Sequence, residues 1–185
     1  MAYVGLTHPV IAVYEERNGV VSYKNGTRFG KAVKYEISPN YEDVSDYQDI
    51  NETDPEEEIR SADITLEISE TSEGSEGVIF GYEVNADETI ANQNNRASPI
   101  GLGIVTREVI AGATSYVAYW IHKVLFREEG RTHETKGDAI TYITPSVKGT
   151  ATPDYNGNWR TKRRFTSKAE ADCLLYTSDA ADERS

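Results

Sequence analysis

The residue types that perform chemistry in proteins are present in this chain, but their spacing forms no catalytic or metal-binding motif. Its three histidines, His8, His122 and His133, are scattered, and they form neither an HExxH pair nor a cluster with cysteine. The one cysteine, Cys173, excludes a disulfide within the chain. No serine lies in a nucleophile-elbow motif. We therefore expect a protein that is not an enzyme and that binds no cofactor and no metal ion.

Two short segments begin like ligand-binding motifs but lack the residues that those motifs require. Asp49-Ile-Asn-Glu-Thr-Asp54 begins like a calcium loop, yet its sixth position is Asp54 instead of glycine and its twelfth is Arg60 instead of glutamate. Gly101-Leu-Gly103 lacks the third glycine and the following helix of a dinucleotide fingerprint. Weak cation binding by the acidic segment is the alternative that these residues leave open.

Charge is distributed unevenly along the chain, whose formal net charge is -12. The segment from Glu42 to Glu88 carries many acidic residues and only one basic residue, Arg60. Such a segment repels nucleic acid, whose binding proteins normally present a basic stripe to the phosphates. We interpret the one basic cluster as a solvated strand face or as a surface that meets an acidic neighbour, with phosphate binding as the alternative; it comprises Arg160, Lys162, Arg163, Arg164 and Lys168.

Length and apolar content are sufficient for one folded domain. The chain has 185 residues, of which 38% are hydrophobic, so it can bury a real core. Its longest apolar run, Val117-Ala-Tyr-Trp-Ile121, is far shorter than the roughly 20 residues of a membrane-spanning helix. The first residues also lack the basic segment and apolar run of a signal peptide, so we expect neither export by that route nor a membrane partner.

The pattern of apolar residues predicts mostly strands. Asn18-Gly19, between strands at residues 10–16 and 20–24, is the dipeptide that most readily forms a tight hairpin turn. A third strand is predicted at residues 29–38, ending at Pro39, because proline cannot donate to a strand ladder. A fourth is predicted at residues 63–69, where Ile64, Leu66 and Ile68 alternate with polar residues.

The strongest strand pair is predicted at residues 100–110 and 114–126. The second of these strands is apolar on both faces, so it requires cover on both sides, either from its own domain or from a neighbouring copy. The alternation assigns Tyr116, Ala118, Trp120, Val124 and Phe126 to one face and Val117, Tyr119, Ile121 and Leu125 to the other. We expect His122, on an apolar face, to be a hydrogen-bonded core or interface residue.

The remaining segments are predicted with less regular patterns. We expect a short helix within residues 70–81, capped by Ser72 or Ser75, then a loop at 86–98. A charged loop at 127–138, a strand at 139–150 and a basic strand at 158–164 follow. Ser167 and Glu170 are spaced as the capping box of a final helix. Together these elements predict a β-rich α+β domain, in which two packed antiparallel sheets carry a short flanking helix.

Several short motifs follow one another in an order that is typical of one protein family. The chain contains Gly5-Leu-Thr-His-Pro-Val10 and Phe29-Gly-Lys-Ala-Val33 near its start, and Lys136-Gly-Asp-Ala-Ile-Thr-Tyr-Ile-Thr-Pro-Ser146 within the later strands. The basic strand then leads into Phe165-Thr-Ser-Lys-Ala-Glu-Ala-Asp172. In this order the motifs resemble the major tail protein of long-tailed bacteriophages. The resemblance covers most of the chain, and residues 41–95 depart from the family pattern.

That resemblance implies a structural role. It implies a virion protein, made in the cytoplasm of the bacterial host, whose copies form rings of six subunits that stack into a tail tube. The expected partners are further copies of the chain and other phage tail proteins, while DNA passes through the tube without specific binding. The resemblance implies no catalytic residues and a tail-tube-like sandwich or barrel of β-sheets.

The acidic segment at residues 40–61 has few apolar residues and contains Pro55, so we predict a long loop. In a tail protein such a loop would reach a neighbouring subunit; simple disorder is the alternative. The candidate residues for this contact between subunits are Tyr41, Asp43, Asp46, Tyr47, Asp49, Glu52 and Arg60.

The end of the chain resembles a different kind of sequence. Cys173-Leu-Leu-Tyr-Thr-Ser-Asp-Ala-Ala-Asp-Glu183 looks like the translation of a sequencing-library adapter. We therefore expect a single domain at residues 1–172 and a non-native addition at residues 173–185. A natural frayed acidic tail is the alternative.

One functional alternative comes from another class of protein. A monomeric β-sandwich that binds glycans or proteins at a phage or cell surface through tyrosine-rich loops also fits the composition, which includes 12 tyrosines. Such a module would expose a contiguous aromatic patch and remain a monomer.

Overall fold

The described part of the chain folds into β-strands with two short helices. The computed structural model describes residues 2–6, 8–43, 57–71, 74–85, 88–110, 112–129 and 146–176. Within these ranges the strands are β1 (Ala2–Leu6), β2 (Val10–Arg17), β3 (Val20–Arg28), β4 (Gly30–Asp43), β5 (Glu57–Thr71), β6 (Glu83–Asn85), β7 (Glu88–Ile90), β8 (Ile100–Ile110), β9 (Ala113–Glu128), β10 (Ser146–Ala151) and β11 (Arg160–Phe165). The helices are α1 (Ser75–Phe80) and α2 (Lys168–Tyr176).

Nine of these strands form one antiparallel sheet. Its order is β3-β2-β8-β9-β10-β5-β4, while β1 also pairs with β8 and β11 also pairs with β9. Strands β6 and β7 form a separate small hairpin. The predicted β-rich character is confirmed, but the strands belong to one large sheet and not to two packed sheets. The reason is the length of β8 and β9, which pair with each other. The free edge of β8 has room for both β1 and β2, and the free edge of β9 has room for both β10 and β11.

The long β8–β9 pair connects the two halves of the sheet. Along β8, β2 pairs with residues 100–103 and β1 pairs with residues 106–109. Along the opposite edge of β9, β10 pairs with residues 124–128 and β11 pairs with residues 116–121. The change of partner on β9 therefore occurs at residues 122–123.

A β-bulge lies where β9 changes partner. Ile121 pairs with Leu102 and Val124 pairs with Ile100, so two residues of β9 face one residue of β8. The backbone groups that the bulge frees are satisfied by the chain between β10 and β11. The His122 N–H donates to the Trp159 carbonyl over 3.1 Å, and the Thr152 N–H donates to the Lys123 carbonyl over 2.9 Å.

The bulge corrects the predicted faces of β9. Because a bulge shifts the alternation by one residue, Ile121 and Val124 enter the same core, although strict alternation assigns them to opposite faces. Phe126 also enters this core. Leu125, which was predicted beside Ile121, is 37% exposed.

The main core lies inside the curl of the large sheet. Ile11 of β2 and Leu66 of β5 belong to the same buried cluster, although three strands separate β2 from β5. The two strands at the ends of this order, β3 and β4, are joined by Phe29 alone, so the sheet must curl round the core. Phe29 closes it by packing against Phe126, with ring centroids 6.1 Å apart. The members from β5 and β8 are Ala62, Ile64, Leu66, Ile68, Ile100, Leu102 and Ile104.

A second cluster covers the opposite face of β9. Val105 of β8 and Ala118 of β9 are buried there together with Ala171 of α2. Tyr116 and Phe165 pack against the same cluster. The prediction that β9 is covered on both faces is confirmed, and α2 of the same chain supplies part of this cover.

Several predicted boundaries are wrong. β4 does not end before Pro39 but continues to Asp43, with Pro39 opposite Ala62. Because β4 is the last strand of the sheet, a residue without an N–H group is tolerated there. The predicted loop at 40–61 is therefore too long at both ends, since residues 40–43 belong to β4 and residues 57–61 belong to β5.

Other elements differ in detail. Helix α1 forms as predicted, but its N-cap is Gly74 with a left-handed backbone, and Ser75 is a buried helical residue; Ser72 lies outside the described residues. Strand β7 lies inside the predicted loop at 86–98. Residues 127–128 extend β9 and β10 begins at residue 146, while residues 130–145 lie outside the described part. Helix α2 begins directly after Ser167.

Gly101, which lies opposite the bulge on β8, is required because two aromatic rings pack against its Cα atom. A Cβ atom at this position would lie 2.6 Å from Cε1 of Tyr23 and would also overlap the Trp120 ring. These two rings pack edge to face with centroids 5.0 Å apart, so neither is free to withdraw.

We expect Gly101→Ala to lower the free energy of unfolding by about 1–3 kcal/mol, as overpacking of a core does. Gly26→Ala is the matched control, because a Cβ there would meet no atom within 4 Å. Urea unfolding of the two variants checks this. Equal midpoints for both variants would contradict the assigned packing.

Candidate functional site

The β4–β5 hairpin projects beyond the rest of the sheet. Strand β10 accompanies β5 only as far as the pair Ala151 and Ala62. Beyond that pair, residues 40–43 and 57–61 are hydrogen-bonded only to each other among the described strands. We call these residues the hairpin arm. It extends roughly 15 Å past the sheet, at the usual rise per strand residue.

The hairpin arm contains three of the seven residues predicted from sequence. Tyr41 is 58% exposed and lies opposite Ile59. The Arg60 Nε donates to Glu42 Oε2 over 2.8 Å. The backbone of Asp43 ends β4. The other four candidates lie outside the described residues; they are Asp46, Tyr47, Asp49 and Glu52.

Acidic residues occupy directly opposed positions of the two strands at the end of the hairpin arm. In the β4–β5 register Glu42 lies opposite Glu58, and Asp43 lies opposite Glu57. Like charges at directly opposed positions destabilise a strand pair. The exposed ion pair of Arg60 compensates little, because such pairs contribute about 0–1 kcal/mol. A two-stranded hairpin in water is marginal even without this repulsion, so the hairpin arm is poorly stabilised by its own contacts.

Strand β11 presents a concentration of positive charge at another edge. It pairs with β9 alone among the described strands. Arg160 stacks on the Trp159 ring at 4.5 Å, and Lys162 lies 5.5 Å from the centroid of Tyr119. Within the described residues Arg160, Lys162 and Arg163 form no ion pair. Three cations of one short strand are therefore available to an external acidic group.

Arg164 differs from its neighbours because its charge is used inside the fold. Its Nη2 donates to Glu108 Oε2 over 2.7 Å, and the Glu108 side chain is 1% exposed. The second carboxylate oxygen, Oε1, has no hydrogen-bond partner among the described residues. A buried carboxylate depends on its one cation, so Arg164 fixes β11 to β8.

His122 and Asp154 form a second polar cluster at the bulge. The His122 Nδ1 lies 3.2 Å from Asp154 Oδ2, and its Nε2 lies 2.8 Å from Thr161 Oγ1. Tyr23 donates its hydroxyl to the His122 carbonyl over 3.0 Å. Asp154 Oδ1 accepts the backbone N–H groups of Asn156 and Asn158. The cluster joins β3, β9, β11 and the turn before β11, as expected for a hydrogen-bonded histidine.

A carboxylate, an imidazole and a hydroxyl in this order are also the groups of a general-base relay. Sequence spacing gave no sign of the arrangement, because Asp154, His122 and Thr161 come from three separate segments. Asp154 Oδ1 accepts two backbone N–H groups of the turn, and Tyr23 Oη lies 3.3 Å from His122 Nδ1 as well. We therefore interpret the cluster as the structural junction of these four segments.

Burial lowers the pKa of His122, and the nearby Asp154 carboxylate only partly opposes this effect. A neutral imidazole with its hydrogen on Nδ1 can donate to Asp154 and accept from Thr161. Because the folded state binds the proton less readily than the unfolded chain, the contribution of His122 to stability is complete above about pH 6.5. It is lost progressively as the pH falls below that value towards the lowered pKa.

We expect His122→Gln to be less stable than the wild type at pH 7.5, with a difference in unfolding free energy that shrinks as the pH falls to 5. Urea unfolding of both proteins at a series of pH values measures this difference. The contributions of titrating groups that the two proteins share cancel when their free energies are subtracted. His8→Gln, which replaces an exposed histidine, is the control for the substitution itself. A difference for His122→Gln that stays constant over this range would refute the neutral, buried imidazole.

Comparison with known proteins found no family model and no curated protein that matches the chain. Among the described residues no three His, Cys, Asp or Glu side chains are grouped to hold a metal ion. The calcium-like residues 49–54 lie outside that part of the chain. Neither described helix is long and apolar enough to cross a membrane. The hairpin arm and β11 are therefore the features on which a function can be argued.

Proposed function

We propose that the chain is the structural subunit of a bacteriophage tail tube, which self-assembles into rings that stack around a conduit for DNA. The observation that carries this proposal is the hairpin arm, which projects from the sheet with an exposed tyrosine and opposed acidic residues. Such an arm gains stability when a neighbouring copy covers it. The order of the sequence motifs supports the same assignment.

The edges of the sheet supply further contacts for assembly. Strands β1, β3, β4 and β11 each have one described neighbour, so each offers unpaired backbone groups along its other side. Unpaired edges are a liability in a monomer, but they can pair across subunits in a ring. A contact between two different surfaces closes a ring when the rotation between copies permits it. Six copies per ring is the number that the family resemblance implies.

The charge of the subunit suits a conduit for DNA. The formal net charge is -12, and acidic residues are concentrated between β4 and the end of β5. A lumen lined with such residues repels phosphate, so DNA would pass without being held. In this role the protein is a virion component that contacts other tail proteins and performs no catalysis.

The alternative, a monomeric surface-binding module, requires an exposed aromatic patch. Among the described residues the strongly exposed tyrosines are Tyr41 and Tyr155. Tyr41 lies on the hairpin arm, whereas Tyr155 lies in the turn between β10 and β11. Two tyrosines on separate elements favour the tail-tube proposal over an aromatic binding surface.

Electron microscopy of the purified chain, over a range of protein and salt concentrations, tests the proposal. We expect rings or stacked tubes with a lumen of constant diameter. Sedimentation under the same conditions measures the oligomeric state independently. A protein that stays monomeric under all of these conditions would contradict the proposal.

The contribution of residues 44–56 to the stacking of subunits can be tested by shortening the hairpin. Because Asp43 and Glu57 are paired, Asn-Gly in place of residues 44–56 should close the hairpin directly. We expect this variant to fold with an unchanged urea midpoint but to form no stacked tubes. A Gly/Ser linker of the original length is the control for chain length. Tubes of normal length from the shortened variant would show that residues 44–56 do not bridge subunits.

A further inference from the structure

Acidic residues outnumber basic residues in the hairpin arm. Its acidic residues are Glu42, Asp43, Glu57 and Glu58, against the single cation Arg60. Their register places two acidic pairs directly opposite each other, which costs stability in the isolated subunit. A cationic surface placed against these residues would turn this repulsion into attraction.

Strand β11 has the complementary property. Its exposed cations Arg160, Lys162 and Arg163 form no ion pair within the described residues. Trp159 and Tyr119 lie beside Arg160 and Lys162, so that face of the strand combines positive charge with aromatic area, while Arg163 lies on the other face. The buried pair of Arg164 with Glu108 fixes the strand, and a fixed strand presents its charges with little loss of entropy on binding.

We propose that the hairpin arm of one copy docks on β11 of the next copy. This inference rests on the proposed function, because it names the two surfaces that meet when subunits assemble. Charge complementarity orients the two copies and accelerates their encounter. Tyr41 supplies apolar area at the centre of the contact, since it is 58% exposed on the hairpin arm.

The charge distribution also determines which surfaces can meet. Contacts of hairpin arm with hairpin arm, or of β11 with β11, bring like charges together, whereas a contact of hairpin arm with β11 brings opposite charges together. Two copies can make this contact reciprocally as a two-fold dimer, or each copy can bind one neighbour on either side. Repetition of the second arrangement closes into a ring or continues as a filament, and this is the arrangement that the proposed function requires.

Charge reversal on each surface tests the contact. Lys162→Glu with Arg163→Glu makes β11 acidic and leaves the pair of Arg164 with Glu108 in place. Glu58→Lys with Asp43→Lys makes the hairpin arm basic, and each new lysine lies opposite a glutamate, so the strand pair is retained. Lys31→Glu with Arg107→Glu is the matched control, because both residues are exposed and lie outside the two surfaces.

Sedimentation at low and high salt measures the result. We expect each reversed variant alone to associate about tenfold or more weakly than the wild type, because like charges then meet. The control variant should assemble as the wild type does. An equal mixture of the two reversed variants should recover assembly, because each acidic β11 then meets a basic hairpin arm and each acidic hairpin arm meets a basic β11. Added salt should weaken this recovered assembly.

The possible failures are distinguishable. If the wild type assembles but the reversed variants assemble equally well, or their mixture does not recover, the docking of the hairpin arm on β11 is wrong and the tail-tube proposal stands. If the wild type stays monomeric, both are wrong. If the β11 reversal abolishes binding of a single-stranded DNA oligonucleotide and leaves assembly unchanged, β11 is a nucleic-acid surface and the docking is again wrong.

Discussion

The fold depends on the need to cover both faces of β9. Val117 and Ala118 are adjacent in sequence and both are buried, so apolar residues point to opposite sides of the same strand. The large sheet curls round one side, and α2 packs on the other. The bulge at residues 122–123 reconciles these demands, because it turns Ile121 and Val124 towards one core and lets β9 exchange β11 for β10 as its neighbour.

The hairpin arm lies outside the part of the fold that covers β9. β5 is apolar on its inner face up to Ala62, where β10 ends, and beyond that point acidic residues dominate. The same two strands are therefore a core element at one end and an unsupported projection at the other. A region with few buried contacts is the kind that binding can order. Under the proposed function, the sheet is the stable base of an arm that a neighbouring copy would stabilise.

Local signals in the sequence predicted local structure well. Asn18 and Gly19 adopt the positive φ angles of the predicted turn, and Ile64, Leu66 and Ile68 are buried as their alternation indicated. Long-range features were not predictable. The bulge depends on β9 changing partners, and strand pairing across Pro39 depends on β4 lying at the sheet edge. Asp154, His122 and Thr161 meet only in the fold. Three of the seven candidate residues, Tyr41, Asp43 and Arg60, lie on the hairpin arm.

Hydrogen exchange of the hairpin arm tests most directly whether it is an assembly element. Exchange at residues 40–43 and 57–61 should be measured in dilute subunits and in the assembled protein. We predict rapid exchange in the dilute subunit and strong protection after assembly, while β8 and β9 remain protected in both states. Exchange of the hairpin arm that stays equally rapid in the assembled protein would contradict the claim that a neighbouring copy covers it.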